Sequence, residues 1–400
     1  MSDQAGSFGA PGRDRLLRLR LTDFRNHASV AIEPDGASVV FTGDNGAGKT
    51  NLLEAISLLA PGRGLRRAAY EEMQRTGATS GFAVHAVLDG PFGEAEIGTG
   101  AGGPGDTTGG RRLRINGATP RTSEALLEWV RVVWLTPAMD ALFTGPSADR
   151  RRFLDRLVLA IDPNHGARAI AYEKAMRGRN RLLTEERRDD RWFEAIEAQM
   201  AESGVAIAAA RLELVRLLSA AIDQMPADGP FPQATVAISG SLEEHLATVS
   251  ATDAEETYRS ALAAGRPRDR AAGRTIEGPH RSDLVVSHRP KAVEAASCST
   301  GEQKALLVGI LLAHARLSAK ISGHVPLVLL DEIAAHLDAR RRAALFDILA
   351  EIGCQALMTG TDAALFESLR GRAKFYRVED GRVVLEADGG GAPAAPTAGG

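Results

Sequence analysis

The residues best placed to do chemistry are Gly43-Asp44-Asn45-Gly46-Ala47-Gly48-Lys49-Thr50, which fit G-x-x-x-x-G-K-[ST] at every fixed position. Such a loop turns successive backbone N–H groups toward one anion, and a helix starting at its end adds the positive pole of its dipole. In that setting Lys49 reaches the β- and γ-phosphates of a nucleoside triphosphate, and the Thr50 hydroxyl holds Mg²⁺. A glycine turn before an ordinary helix is the plainer explanation, but the flanks argue against it. Val39-Val40-Phe41 reads as a buried strand, and residues 51–60 (NLLEAISLLA) keep apolar residues at helical spacing. The expected ligands are a nucleoside triphosphate and Mg²⁺.

A second candidate lies far along the chain. Residues 325–330 (VPLVLL) form a branched apolar run that ends in Asp331-Glu332. Asp331 would bind Mg²⁺, directly or through water, and Glu332 would orient or deprotonate the attacking water. A strand followed by an acidic turn is common, so the pairing with the phosphate loop gives the reading its weight. Upstream, Ser299-Thr300-Gly301-Glu302-Gln303 opens a long apolar helix. Ser299 and Glu302 form an S-x-x-E capping box, and the same capped end, with room left by Gly301, could meet a phosphate. Its place before the acidic strand resembles that of an ABC signature motif, and His336-Leu337-Asp338 resembles the D-loop of that superfamily. Thr359 and Thr361 follow a strand where many ABC ATPases carry a histidine switch, so γ-phosphate sensing would fall to a hydroxyl or to nothing.

The elements that must position these residues are legible in outline. Residues 16–21 alternate apolar and basic side chains as a half-solvated strand does, and residues 29–32, 82–88, 94–97 and 111–115 continue an antiparallel pattern turned at Asn116-Gly117. Residues 98–110 read as a mobile glycine-rich loop, and residues 129–135 as a buried strand. From Ser147 to about Ala227 the signals are helical: 149–161, 165–187, a polar turn at Arg188-Asp189-Asp190, then 192–223. In the third helix Ala201, Val205, Ala208, Leu212 and Val215 make a short coiled-coil-like seam on a rod only about 50 Å long. Strands resume at 235–238 and 283–287, around a helix at 253–264 and an arginine-rich segment at 266–274. The resulting division is a disordered 1–14, an ATPase lobe I at 15–145, an inserted helical lobe II at 146–275, the C-terminal ATPase half at 276–386, and a disordered tail at 387–400.

Composition bounds the rest. Over 400 residues the charged fraction is 25% and the net charge −3, as in ordinary globular proteins. No apolar run approaches the roughly 20 residues of a membrane span, and the polar N-terminus lacks a signal core, so the expectation is a cytoplasmic protein. Cys298 and Cys354 form no framework or metal spacing and read as reduced, inert thiols. Aromatic residues are few, which favours duplex backbone contact over stacking on single strands.

About 250 positions separate Lys49 from Ser299, more than in transporter ATPases and far fewer than in SMC chromosome ATPases. With a short antiparallel helical pair in the insert, the chain resembles the RecF family of DNA gap-repair ATPases. Asp23-Phe24-Arg25-Asn26, the phosphate loop with Asn51-Leu52-Leu53-Glu54-Ala55, and Gly62-Arg63-Gly64-Leu65-Arg66 resemble its opening motifs. Leu135-Thr136-Pro137, Arg151-Arg152-Phe153-Leu154-Asp155, Gly278-Pro279-His280-Arg281-Ser282-Asp283-Leu284 and the signature segment follow in order, from about Leu16 to Leu385. Gly64 and Ser282 depart from the usual residues, and no Q-loop glutamine stands clearly before the helical lobe.

The resemblance implies an α/β ABC-type P-loop ATPase head with an antiparallel β subdomain and an inserted helical lobe. It implies an ATP-driven head-to-head homodimer in which Ser299 and Gly301 of one copy cap the nucleotide of the other, with slow hydrolysis through Glu332 releasing it. Its expected partners are gapped or duplex DNA, recognised largely without regard to sequence, and the recombination mediator proteins that help load the recombinase RecA. Arg63, Arg66, Arg67, Arg151 and Arg152 are the leading candidates for DNA, beside Arg150, Arg177, Arg179, Arg181, Arg266, Arg268 and Arg270, although such arginines are more often a solvated helix face. The alternative is an ABC-type ATPase subunit coupled to a membrane or other protein partner; an SMC-like bridging component is disfavoured by the short insert.

Overall fold

A computed structural model describes residues 12–103, 110–185 and 190–386. The chain divides into two compact units, Met1–Pro137 with Gly323–Gly400, and Ala138–Ser322. The disorder expected at the two ends, residues 104–109 of the loop expected at 98–110, and residues 188–189 of the expected polar turn lie outside the described residues, whereas 98–101 belong to the strand Gly93–Ala101 and Asp190 already opens a helix. Residues 12–14, however, belong to the fold. Gly12–Arg13 pairs in parallel with His324–Val325, and the buried Asp14 carboxylate accepts from Arg131 N at 2.6 Å and His324 Nδ1 at 2.7 Å.

In the first unit, the described strands build a six-stranded sheet in the order Arg382–Leu385, Ala373–Glu379, Ser38–Thr42, Ala356–Gly360, Leu327–Leu330, Val132–Leu135. All neighbours run parallel except the terminal hairpin, which turns at Asp380 and Gly381 with positive φ. Leu327–Leu330 and Val132–Leu135 are buried at every position, as parallel strands covered on both faces must be, and this explains their unbroken apolar runs. The strand feeding the phosphate loop and the strand ending in Asp331 flank Ala356–Gly360, so three functional strand ends share one edge.

A five-stranded antiparallel sheet accompanies it, in the order His27–Ile32, Arg15–Phe24, Phe82–Gly90, Gly93–Ala101, Arg112–Ile115. Here burial alternates: Leu19 and Leu21 face the core while Arg18 and Arg20 face solvent. Asn116 (φ 50°) and Gly117 (φ 79°) follow the edge strand in the left-handed pair of a type I′ turn.

The second unit holds the helices Ser147–Leu159, His165–Thr184 and Asp190–Asp223, and it is more than a helical pair. Ala234–Ser239, Asp283–His288 and Val293–Glu294 form an antiparallel sheet, and Ala251–Ala264 and Arg266–Ala272 are helices. The expected heptad seam is only part of the packing. Leu212 is half-buried, whereas Arg211, Leu214 and Leu218 are buried, because this helix is covered on several sides. The unit extends to Ser322, past the boundary expected at 275, because the helix Thr300–Ser322 packs on Asp190–Asp223 and on Ala234–Ser239. By length and composition that helix could cross a membrane, contrary to the expectation that no segment could; 72% of its apolar window is buried within the protein.

Several arginines offered to phosphate are committed inside this unit. Arg179 is fully buried and donates to Glu197, Asp269, Thr275 and the Leu262 carbonyl at 2.6–2.9 Å, so no ligand reaches it. Arg266 pairs with Glu197 and Asp190, Arg268 with Glu277, and Arg270 donates to the Leu183 carbonyl. Arg150 grips Asp283 with two bonds of 2.7 Å.

Candidate active site

The phosphate loop joins Ser38–Thr42 to the helix Lys49–Ser57. Its glycines answer two physical demands. A Cβ on Gly43 (φ 145°) would lie 2.2 Å from the Val378 carbonyl oxygen, and one on Gly48 (φ 112°) within 3 Å of Asn26 and His27. Lys49 lies back along the loop, donating from Nζ to the Gly43 and Asp44 carbonyls at 2.7 and 2.8 Å. Burial pulls its ammonium below the usual range, and Glu332, Asp331 and Asp44 oppose that shift. Asn45, Gly46 and Ala47 complete the turn, with Ala47 N donating to the Asp44 carbonyl at 3.2 Å.

The acidic pair converges on the same loop. Asp331 Oδ1 accepts from Thr50 Oγ1 at 2.8 Å and from Thr359 Oγ1 at 2.8 Å. Thr359 Oγ1 in turn accepts from Glu332 N at 3.0 Å, so one buried hydroxyl ties both carboxylate residues to the neighbouring strand Ala356–Gly360. Glu332 stands in the left-handed region at φ 54°, a costly backbone for a non-glycine residue and common where a side chain must be aimed. Of the two threonines considered for a switch, Thr359 is the one that touches the carboxylates; Thr361 is exposed. Asp338 serves the fold directly, capping the helix Ala339–Ile352 by accepting from Arg341 N at 2.8 Å.

The cradle of the loop was not legible as such. His27 is buried and bridges the Gly381 carbonyl (Nδ1, 2.7 Å) and the Gly48 carbonyl (Nε2, 3.1 Å). Asn26 donates to the Ala47 carbonyl at 2.9 Å and accepts from Asn51 at 2.7 Å, while Arg25 makes a forked pair with buried Glu54 at 2.6 and 2.8 Å. The segment from Asp23 to His27 is therefore a clamp on the loop and its helix. The D-F-R-N run was its only sequence signal.

In the second unit, the signature segment is a complete capping box. Ser299 N donates to Glu302 Oε2 at 3.0 Å, and Glu302 N to Ser299 Oγ at 3.4 Å. Lys291 first, then the Ser299 donors, hold the Glu302 carboxyl down to about 2. Ser299 and Thr300 are exposed, and a Cβ on Gly301 would meet nothing within 4 Å, so the front of this helix is open. Gln303 is buried and donates to the Cys298 carbonyl at 2.9 Å, fixing the first turn from behind.

Among the DNA candidates, Arg63 lies 5.8 Å from the Tyr70 ring centroid and Arg67 is exposed. Arg66 donates to Asn51 at 2.6 Å and Glu54 at 3.1 Å. Arg151 donates to the Ser282 carbonyl at 2.6 Å, and exposed Arg152 pairs with Asp149.

Among the described residues, no group of three or more His, Cys, Asp or Glu is placed to hold a metal by itself. Mg²⁺ beside a nucleotide takes one or two protein oxygens and completes its shell with phosphate and water. The juxtaposed Thr50 hydroxyl and Asp331 carboxylate fit that demand.

Comparison with known proteins agrees with this geometry. The family described as RecF/RecN/SMC N terminal domain matches residues 15–383. The "DNA replication and repair protein RecF" of Mesorhizobium japonicum is 69% identical over 93% of this chain and 98% of its own length. Its namesake in Brucella suis is 58% identical, over 93% and 97% respectively. The solved structure of the recombination mediator protein RecF-ATP in the RecFOR pathway shares the fold, with a TM-score of 0.81, 23% identity and coverage of 95% and 100%. The Smc head domain of Pyrococcus furiosus, bound to the C-terminal domain of ScpA, follows at a TM-score of 0.53 and 17% identity, over 93% and 96%. The fold is that of an ABC-type ATPase head with an inserted lobe, and the chain belongs to the RecF family.

Proposed function

We propose that this chain is an ATP-dependent DNA-binding protein of replication and recombinational gap repair, working in the cytoplasm and switched by a slow ATPase. The observation that carries the reading is the convergence of Thr50, Asp331, Thr359 and Glu332 beside a complete phosphate loop, in a chain that resembles RecF proteins along its length. Lys49, parked on the loop carbonyls, would exchange them for β- and γ-phosphate oxygens. Thr50 and Asp331 would hold Mg²⁺, which when bound neutralises charge on those phosphates. Glu332, aimed by its backbone and by Thr359, would take the proton of the attacking water.

The open capping box supports a partner-facing role for Ser299 and Gly301. Its free front offers N–H groups and a helix pole to the γ-phosphate held by a second copy. ATP would then drive a homodimer, and hydrolysis would release it from gapped or duplex DNA and from the mediator proteins that load the recombinase. The membrane-coupled alternative gains no support: the relatives that cover the chain are named as replication and repair proteins.

The test is sedimentation velocity with saturating ATP and Mg²⁺. Wild type is expected to dimerise, whereas Ser299→Arg, at an exposed position, keeps ATP affinity and stays monomeric. A dimer of unchanged strength in Ser299→Arg contradicts the trans arrangement.

A further inference from the structure

The edge of the five-stranded sheet carries a cleft of about 520 Å³ that none of the motifs above explains. Arg112, Arg114, Arg121, Tyr70, Thr122 and Ser123 line it, and among the described residues no carboxylate does. Arg111, also at its wall, is already committed: it donates to Thr99 Oγ1 and to the carbonyls of Leu58, Ala60 and Gly62, and so pins the turn that carries Arg63. Arg63 approaches the cleft through its cation–π contact with Tyr70. Arg114 and Arg121 are exposed, with no ion pair among the described residues.

The cleft continues onto the solvent face of the sheet. Strand register puts Arg20 beside His85, His85 beside Gly98, and Gly98 beside Arg114. At about 4.8 Å per strand, Arg20 and Arg114 stand about 14 Å apart with a side-chain-free step between them. Arg18 and Arg20 are exposed and likewise form no ion pair among the described residues. Glu96, in the neighbouring row with Val87, is the acidic residue that lines this part of the face. The step at Gly98 is not required by packing, because a Cβ there would meet nothing within 4 Å and its φ is ordinary.

We propose that this edge cleft and the row Arg114–Gly98–His85–Arg20 form a binding track for the sugar-phosphate backbone of duplex DNA. The inference rests on the DNA-binding reading above and assigns it a surface. Arginines with no carboxylate partner among the described residues supply the charge, the hydroxyls supply donors, and the glycine lets the backbone approach.

The test uses the full chain with ATP and Mg²⁺, a fluorescein-labelled 30-base-pair duplex, and anisotropy read across a salt series. Arg114→Glu/Arg121→Glu is expected to weaken binding at least about tenfold and to lower the slope of log K against log salt by about two. Gly98→Glu removes no contact and leaves melting and ATP binding unchanged, yet it too is expected to weaken binding several-fold. Wild-type affinity in both variants overturns the track while leaving the DNA reading intact. Failure of wild type to bind DNA with or without ATP overturns both. If the variants lose only competition by inorganic pyrophosphate and keep the duplex, the cleft takes a small anion and the proposal falls.

Discussion

Thr359 is the residue on which the acidic edge turns. Its hydroxyl has one proton, given to Asp331, and its oxygen receives the Glu332 N–H. A group so occupied is placed to position the carboxylates, and that is the role we propose for it. Thr359→Val keeps the shape and removes both bonds, and hydrolysis in single turnover is expected to fall about tenfold or more, with ATP affinity held. Thr359→Ser, which keeps the hydroxyl, restores most of the rate. Unchanged hydrolysis in the valine variant contradicts the positioning role. At this scale the sequence was most legible where local spacing defines the chemistry, as in Gly43 to Thr50. It was silent on His27, whose partners Gly48 and Gly381 come from opposite ends of the chain. It left Thr359 and Thr361 equal, since only the fold turns one inward.

Among elements, the inserted unit depends on charges that sequence alone places at the surface. Removing Arg179 strands the buried carboxylates of Glu197 and Asp269. Arg179→Met is expected to cost about 3–5 kcal/mol in urea denaturation. A loss under about 1 kcal/mol contradicts the hub. His314 gives the same unit a pH dependence. It is buried, its Nε2–H donates to the Leu157 carbonyl at 2.9 Å, and burial lowers its pKa to about 4. The unfolded chain protonates this imidazole near 6.5, so between those values it binds the additional proton, and stability falls as pH drops from about 6.5 toward 4. His314→Leu should show a smaller loss of stability between pH 7 and 5 than wild type; an equal loss contradicts this. The runs of arginine at 177–181 and 266–270 looked like solvent or DNA faces because a sequence shows charge but not the carboxylates it will meet.

For the whole molecule, the positions of strands along the chain were legible where runs were strongly apolar or alternating, and this located the phosphate loop, the acidic strand and the inserted lobe. The limits of the lobe were not. The helix Thr300–Ser322 follows the signature in sequence, yet its apolar sides are satisfied by residues far upstream in Asp190–Asp223 and Ala234–Ser239. Such long-range burial has no local signal.

On the function proposed above, ATP held by this loop switches the chain onto DNA. The most direct measurement is equilibrium binding of the full chain to gapped, blunt-duplex and single-stranded DNA, with and without ATP, for wild type, Lys49→Ala and Glu332→Gln. The expected result is ATP-dependent binding to gapped or duplex DNA, lost in Lys49→Ala and strengthened in Glu332→Gln. DNA binding that ignores ATP, or that persists unchanged in Lys49→Ala, would contradict it.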